Sequence, residues 1–277
     1  MYVAWVTGAG GLIGSYVVKA APKDWLVYGL KRQDLDICDH NAVWEQFDRD
    51  EPDLIIHCAA ISKSPACDAD PQRAVNVNAD AVITLSHVAA EIPLIFLSSD
   101  LVFDGRKGNY VETDEVNPLS VYADTKRIAE DIVLKNPKHT VVRTSLNAGH
   151  SPTGDRAFNE EMRAAFKEGR TLNLFVDEFR CPIPAEITAR AIWEIVGESG
   201  IFHLCGAERL SRYEIGELLA ENHPELNPKI VRGTLRDYKG SPRSPDTSMD
   251  CSKIQAKLSF RLPKFSDWAR AQPPGSL

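Results

Sequence analysis

No stretch of this sequence approaches the ~18 consecutive apolar residues that a membrane-spanning helix needs, so no span is expected. Basic blocks are missing as well. With 32 lysines and arginines against 39 aspartates and glutamates the net charge is -7, and a nucleic-acid partner is not expected. The six cysteines (Cys38, Cys58, Cys67, Cys181, Cys205 and Cys251) contain no C-x-x-C pair. In a chain of 277 residues they read as reduced, mostly buried thiols of a cytoplasmic protein. No basic leader precedes the first apolar run, so no signal peptide is expected. Internal repeats and low-complexity blocks are absent, and no acids mark out a metal site, so no metal is expected. What is present is a chain 43% hydrophobic, long enough for one large domain or a domain with a smaller lobe.

The first apolar run, Val3 to Val6, leads into Thr7-Gly8-Ala9-Gly10-Gly11-Leu12-Ile13-Gly14 and then into Ser15 to Ala20 at helical spacing. Strand, glycine turn and helix form the context that a dinucleotide fingerprint requires. Gly8, Gly11 and Gly14 stand at G-x-x-G-x-x-G spacing, suited to a tight turn, close approach of backbone to a pyrophosphate, and close helix packing. The second strand, Trp25 to Leu30, ends in Lys31-Arg32, where an acid would usually meet the adenine ribose of NAD. Two cations suit a 2′-phosphate instead. NADP(H) is therefore favoured, with NAD(H) the alternative.

Further strands are expected at Asp34 to Ile37, Pro52 to Ala60, Pro93 to Asp100, Thr140 to Thr144 and Gly200 to Gly206. Helices are expected from His40 to Asp48 with Asp39 as cap, from Pro71 through Ala90, around Tyr122, and from Ala185 to Val196. This alternation predicts an α/β fold, a doubly wound parallel sheet of the Rossmann type. Residues 1–145 with 183–206 form the dinucleotide-binding domain, and 146–182 with 207–277 a smaller C-terminal substrate lobe. Ligands sit at the C-terminal ends of parallel strands, which puts Ser99 on the side of the glycine turn. Asn76 is expected to organise the helix behind the site, the alternative being a bond within its own helix.

Tyr122 and Lys126 stand four apart in a segment without a helix breaker, so both share one helix face about 5–6 Å apart at Cβ. A phenol ordinarily titrates near ~10, and an adjacent ammonium lowers that value. The pair is thus a general acid/base for proton transfer at a carbonyl or alcohol.

Glycine turn, Ser99, Tyr122 and Lys126 in this order resemble an extended short-chain dehydrogenase/reductase. More narrowly the chain resembles the dTDP-4-dehydrorhamnose reductases along nearly its whole length, in TGAGGLIG at 7–14, DLDI at 34–37, PDLIIHCAA at 52–60, AVNVN at 74–78, LSSDLVFDG at 97–105, NPLSVYADTK at 117–126, VVRTS at 141–145 and VDEFRCPI at 176–183. The resemblance implies a nicotinamide-dependent reductase of a nucleotide-linked 4-keto sugar. Tyr122 would protonate the carbonyl oxygen, Lys126 would hold the nicotinamide ribose and lower the phenol pKa, and Ser99, with Asp100 beside it, would meet the substrate. Gly11, Leu12 and Ile13 would meet the pyrophosphate, Asp36 and Ile37 the adenine, and Ala59, Ala60 and Ile61 the nicotinamide side. Homodimers occur in such a family.

Four positions depart from the family pattern: Leu101 replaces a tyrosine, Leu146 an aromatic, His57 an asparagine, and Arg180-Cys181-Pro182-Ile183 the usual Gly-Ser-Pro-Thr. Leu101 also stands where a sugar-nucleotide dehydratase needs an acid, which argues against that reaction. Two alternatives stay open. One is a sugar-nucleotide epimerase; the other is a cofactor-binding regulatory subunit resembling the methionine adenosyltransferase beta subunit.

Overall fold

The computed structural model describes residues 1–277. Its centre is a six-stranded parallel sheet built from β1 (Tyr2–Thr7), β2 (Trp25–Leu30), β3 (Leu54–His57), β4 (Leu94–Ser99), β5 (Thr140–Thr144) and the strand Gly200–Leu204. Across the sheet the order is Gly200–Leu204, β5, β4, β3, β1, β2. Chain order therefore reverses between β1 and β3. Both sheet faces are covered, because successive strand residues alternate between two cores. Ala4, Val6, Ile56, Ile95, Leu97 and Val142 pack against α1 (Leu12–Lys19) and the helix Ala185–Glu194. Trp5, Ile55, Leu94, Phe96 and Val141 pack on the other face against α2 (His40–Asp50) and against the helices that carry Leu85 and Ala129.

Asp39 caps α2 as expected, its carboxylate accepting from the Ala42 N–H at 3.0 Å. A short helix, α3 (Ser64–Ala69), precedes the segment read as one helix from Pro71 to Ala90. That segment is interrupted: α4 (Pro71–Val75) and α5 (Ala81–Val88) are joined by a π-turn at Asn76–Asp80. Then α6 (Val121–Val133) begins at Ser120, whose hydroxyl accepts from the Ala123 N–H at 3.3 Å. Such a cap stabilises a helix start by roughly 1 kcal/mol.

The expected strand at Asp34 to Ile37 does not form. Asp34 accepts from the Lys31 N–H at 2.9 Å and Asp36 from the Cys38 N–H at 3.1 Å, so these aspartates tie the chain into turns. Leu35 and Ile37 are nevertheless buried, and β2 becomes the sheet's edge.

The lobe has its own core, with Met162, Phe166, Leu174, Leu218, Leu219 and Phe265. Its strand Thr171–Phe175 pairs in parallel with Lys229–Gly233, a strand that polar, proline-bounded sequence concealed. One part of the expected lobe lies elsewhere. Ile254 and Leu262 enter the sheet's core, so the stretch around Ser252–Gln255 packs with the sheet.

Candidate active site

Thr7 ends β1 and the chain turns at Gly8 with φ of 70°. A Cβ there would sit 2.7 Å from the Ala59 nitrogen, so only glycine allows the turn to lie against the exit of β3. At Gly14 a Cβ would fall 2.3 Å from the Gly8 carbonyl oxygen, which fixes how closely α1 follows the turn. Gly11 caps α1 without a side chain, leaving the N–H groups of the first turn free of side-chain partners. The N-terminus of α1, with Leu12 and Ile13, thus opens at the point where strand order reverses, a ready anion site. Beyond β2, Lys31 and Arg32 are exposed, and Arg32 lies 3.6 Å from Asp36.

The loop after β3 carries Ala59, Ala60 and Ile61, and it is held by Asn78. The Asn78 side chain accepts from the Ile61 N–H at 2.8 Å and donates to the Ile61 carbonyl at 3.1 Å and to Thr125 Oγ1 at 3.0 Å. One buried amide therefore ties this loop to α6, one residue before Lys126. Asn76 bonds Gln72 on its own helical segment instead. The π-turn decides which asparagine points inward, and periodicity gives no sign of it. His57 closes β3 fully buried, with Nδ1 2.7 Å from Thr7 Oγ1 and no partner for Nε2. Burial, and then Lys126, push its pKa down to about 3, so the imidazole is neutral at pH 7.

Ser99 at the end of β4, Tyr122 and Lys126 are all buried; Ser99 lies beside Tyr122, and Lys126, one turn further along α6, faces Cys58 and Cys67. Burial pushes the Tyr122 phenol up to about 12, while the hydrogen-bonded Ser99 hydroxyl pulls the other way. The expected lowering by Lys126 is not what the structure gives. Lys126 is itself desolvated: its Nζ lies 4.2 Å over the Phe96 ring, and burial lowers its pKa to about 8, opposed by Glu130, Cys58 and Cys67. Desolvation outweighs the attraction that helix spacing suggested.

Asp100 also differs from expectation. It is fully buried, and Ser145 at 2.7 Å, Thr247 at 3.1 Å, Ser99 at 3.2 Å and both Arg180 Nε and Nη2 donate to its carboxylate. No oxygen is left for a substrate. Asp100 instead positions Ser99 and fixes Arg180, which comes from the lobe. In the sequence Arg180 stands out only as a departure from the family pattern, with no local signal linking it to Asp100, 80 residues away. Nearby, Glu178 accepts from Arg243 at 2.6 and 2.8 Å. Arg212 lies by the same cluster, its pKa lowered to about 10 by burial, with Glu178 opposing and Arg180 and Arg243 reinforcing. Leu101, Ser120, Glu178, Arg180, Tyr238 and Arg243 line a cleft between sheet and lobe.

A family model described as RmlD substrate binding domain matches residues 3–271. A dTDP-4-dehydrorhamnose reductase of Sinorhizobium fredii is 29% identical, over 96% of this chain and 94% of that protein. The methionine adenosyltransferase 2 subunit beta of Bos taurus is 28% identical, over 90% and 80%. The crystal structure of a dTDP-4-dehydrorhamnose reductase from Clostridium acetobutylicum superposes with a TM-score of 0.88 at 25% identity, covering 98% and 97%.

Proposed function

We propose that this chain, which belongs to the RmlD substrate binding domain family, is an NADPH-dependent reductase of a nucleotide-linked 4-keto sugar, acting in the cytoplasm. The observation that supports this reading is that Ser99 and Tyr122 lie together, buried, with Lys126 one helical turn on, in a sheet whose first strand ends in a glycine turn that admits no side chain. When bound, NADPH supplies a hydride to the carbonyl carbon. Gly8, Gly11, Leu12, Ile13 and Gly14 hold its pyrophosphate, Asp36 and Ile37 flank the adenine, and Lys31 and Arg32 take the 2′-phosphate. Ala59, Ala60 and Ile61 form the wall on the nicotinamide side.

Ser99 turns its one O–H from Asp100, 3.2 Å away, to the carbonyl oxygen, a bond that strengthens as negative charge develops there. Tyr122, fully protonated at neutral pH with a pKa of about 12, delivers its proton to that oxygen. Lys126 holds the nicotinamide ribose. In the cleft Arg180 and Arg243, held by Asp100 and Glu178, present guanidinium groups of the kind that binds the diphosphate of a nucleotide sugar.

The test is to mix the protein with NADPH and a panel of nucleotide-linked 4-keto sugars and follow the absorbance of the reduced nicotinamide. Loss with one sugar is expected. Silence across the panel, with tight cofactor binding, would replace this reading by a regulatory subunit, the reading favoured by the similarity to the methionine adenosyltransferase beta subunit and by Leu101 in the cleft. For the cofactor, Arg32→Ala should weaken NADPH by about 10-fold and leave NADH unchanged, since a lost charge-assisted contact is worth ~1.5 kcal/mol. Equal weakening of both would point to NAD.

A further inference from the structure

Three of the six cysteines come from distant parts of the chain and meet at one place. The Sγ atoms of Cys205 and Cys251 are 3.2 Å apart, and the Cys205 N–H also donates to Cys251 Sγ at 3.2 Å. The Cys205 thiol points toward the Met249 carbonyl at 3.7 Å, and Cys181 lies beside Cys205. All three sit where the chain crosses between sheet and lobe. Cys181 lies between Phe179–Arg180 and the sheet-covering helix Ala185–Glu194; Cys205 follows the strand Gly200–Leu204; Cys251 precedes Ser252–Gln255, whose Ile254 is in the sheet's core. Between the arginine cluster and Cys251 runs the segment that holds Thr247 against Asp100 at 3.1 Å. Cys251 is partly exposed and, with Cys181, lines an open cavity that also touches Glu208, Arg209 and Gln255. Cys205 is fully buried behind it.

We propose that Cys205 and Cys251 are an oxidisable pair, a peroxide-modification site that staples the junction of lobe and sheet. Cys251, reachable from the cavity, attacks one oxygen of hydrogen peroxide as the O–O bond breaks, giving a sulfenic acid and water. Cys205 then attacks the sulfenic sulfur; the S–S bond forms, hydroxide leaves, and the thiol proton converts it to a second water. Two thiols and one peroxide thus become one disulfide and two waters, and a dithiol reverses the change by exchange. The two sulfurs need to approach by only about 1 Å to reach a bond length of ~2.05 Å. The bridge closes a long loop through the lobe, which restricts the unfolded chain and fixes the strap carrying Arg243 and Thr247.

The experiment treats the full-length protein with hydrogen peroxide, then counts thiols in denaturant and maps the bridged peptides by mass spectrometry. The six free thiols should fall to four, the intact mass should drop by two hydrogens, and the bridge should map to Cys205–Cys251. The thermal midpoint of the oxidised protein should rise by several degrees and return with dithiothreitol. Cys251→Ser should keep all five remaining thiols under the same treatment, whereas Cys38→Ser should still form the bridge. Cys251→Ser is preferred over Cys205→Ser because a partly exposed position tolerates the change. Six thiols after treatment, a bridge to Cys181 instead, or oxidation only to sulfinic acid would each overturn the assignment.

Discussion

A buried phenol beside a buried amine separates two titrations that a solvated Tyr–Lys pair would run together. Lys126 loses its charge near pH 8, whereas Tyr122 keeps its proton to about 12. Turnover should therefore fall on the alkaline side near pH 8, where the cation proposed to hold the ribose is lost, and not near pH 10. A limb at 10 or above in the pH dependence of kcat would show that Lys126 is not desolvated in the working enzyme. Folding stability has the same origin with a definite sign. The folded-state pKa of Lys126 lies below its ordinary 10.5, so between about 8 and 10.5 the unfolded chain binds more protons and this group's contribution to stability rises with pH. Tyr122→Phe should leave NADPH affinity within twofold and lower kcat by at least ~10². The shared helix face of Tyr122 and Lys126 was legible from their spacing, and Ser99 from its place at the end of a buried strand. The sinks for Asp100 were not, because Ser145, Arg180 and Thr247 lie 45, 80 and 147 residues away and no local pattern links them.

Secondary-structure elements here do more than carry side chains, and the π-turn between α4 and α5 is the clearest case. An inserted residue rotates the chain beyond it, turning Asn78 inward to grip Ile61 and Thr125 while Asn76 stays against Gln72. Asn78→Ala would strip the Ile61 N–H of its partner and leave the Ile61 carbonyl only the Cys67 thiol at 3.3 Å, and an unmet buried group costs about 1–3 kcal/mol. The expected result is a lower thermal midpoint together with about 10-fold weaker NADPH binding, read by fluorescence titration. Asn76→Ala should change stability by no more than ~0.5 kcal/mol. Identical behaviour of the two variants would mean that the loop holds its shape without Asn78. Hydrophobic periodicity was enough to find a helical stretch from Pro71 to Ala90, and composition enough to find the buried strands. The π-turn escaped because one extra residue leaves both flanking patterns intact. At Asp34 to Ile37 two alternating apolar residues imitated a strand, and only the aspartates' bonds to nearby N–H groups set them apart.

At the scale of the molecule, the cleft exists because a lobe with its own core is fastened to the rim of the sheet by very few charged contacts. Arg180 on Asp100 is the deepest of these, with side chains 7% and 0% exposed, and it joins the lobe to the residue beside Ser99. Removing one partner leaves the other charge buried without compensation, which costs about 3–5 kcal/mol, whereas removing both charges leaves nothing to desolvate. Arg180→Met should therefore lower the urea midpoint sharply, and adding Asp100→Asn should restore much of it. Activity should not follow stability. In the double variant the hydrogen bond that orients the Ser99 hydroxyl changes, and the lobe loses one guanidinium from the cleft, so kcat/KM for the keto sugar should stay low after the fold has recovered. The comparison separates fastening from chemistry by two readouts on the same pair of proteins. If Arg180→Met costs no more than a surface substitution, lobe and sheet are held by their apolar contacts. If the double variant recovers activity along with stability, the ion pair serves only the fold, and the orientation of Ser99 comes from elsewhere.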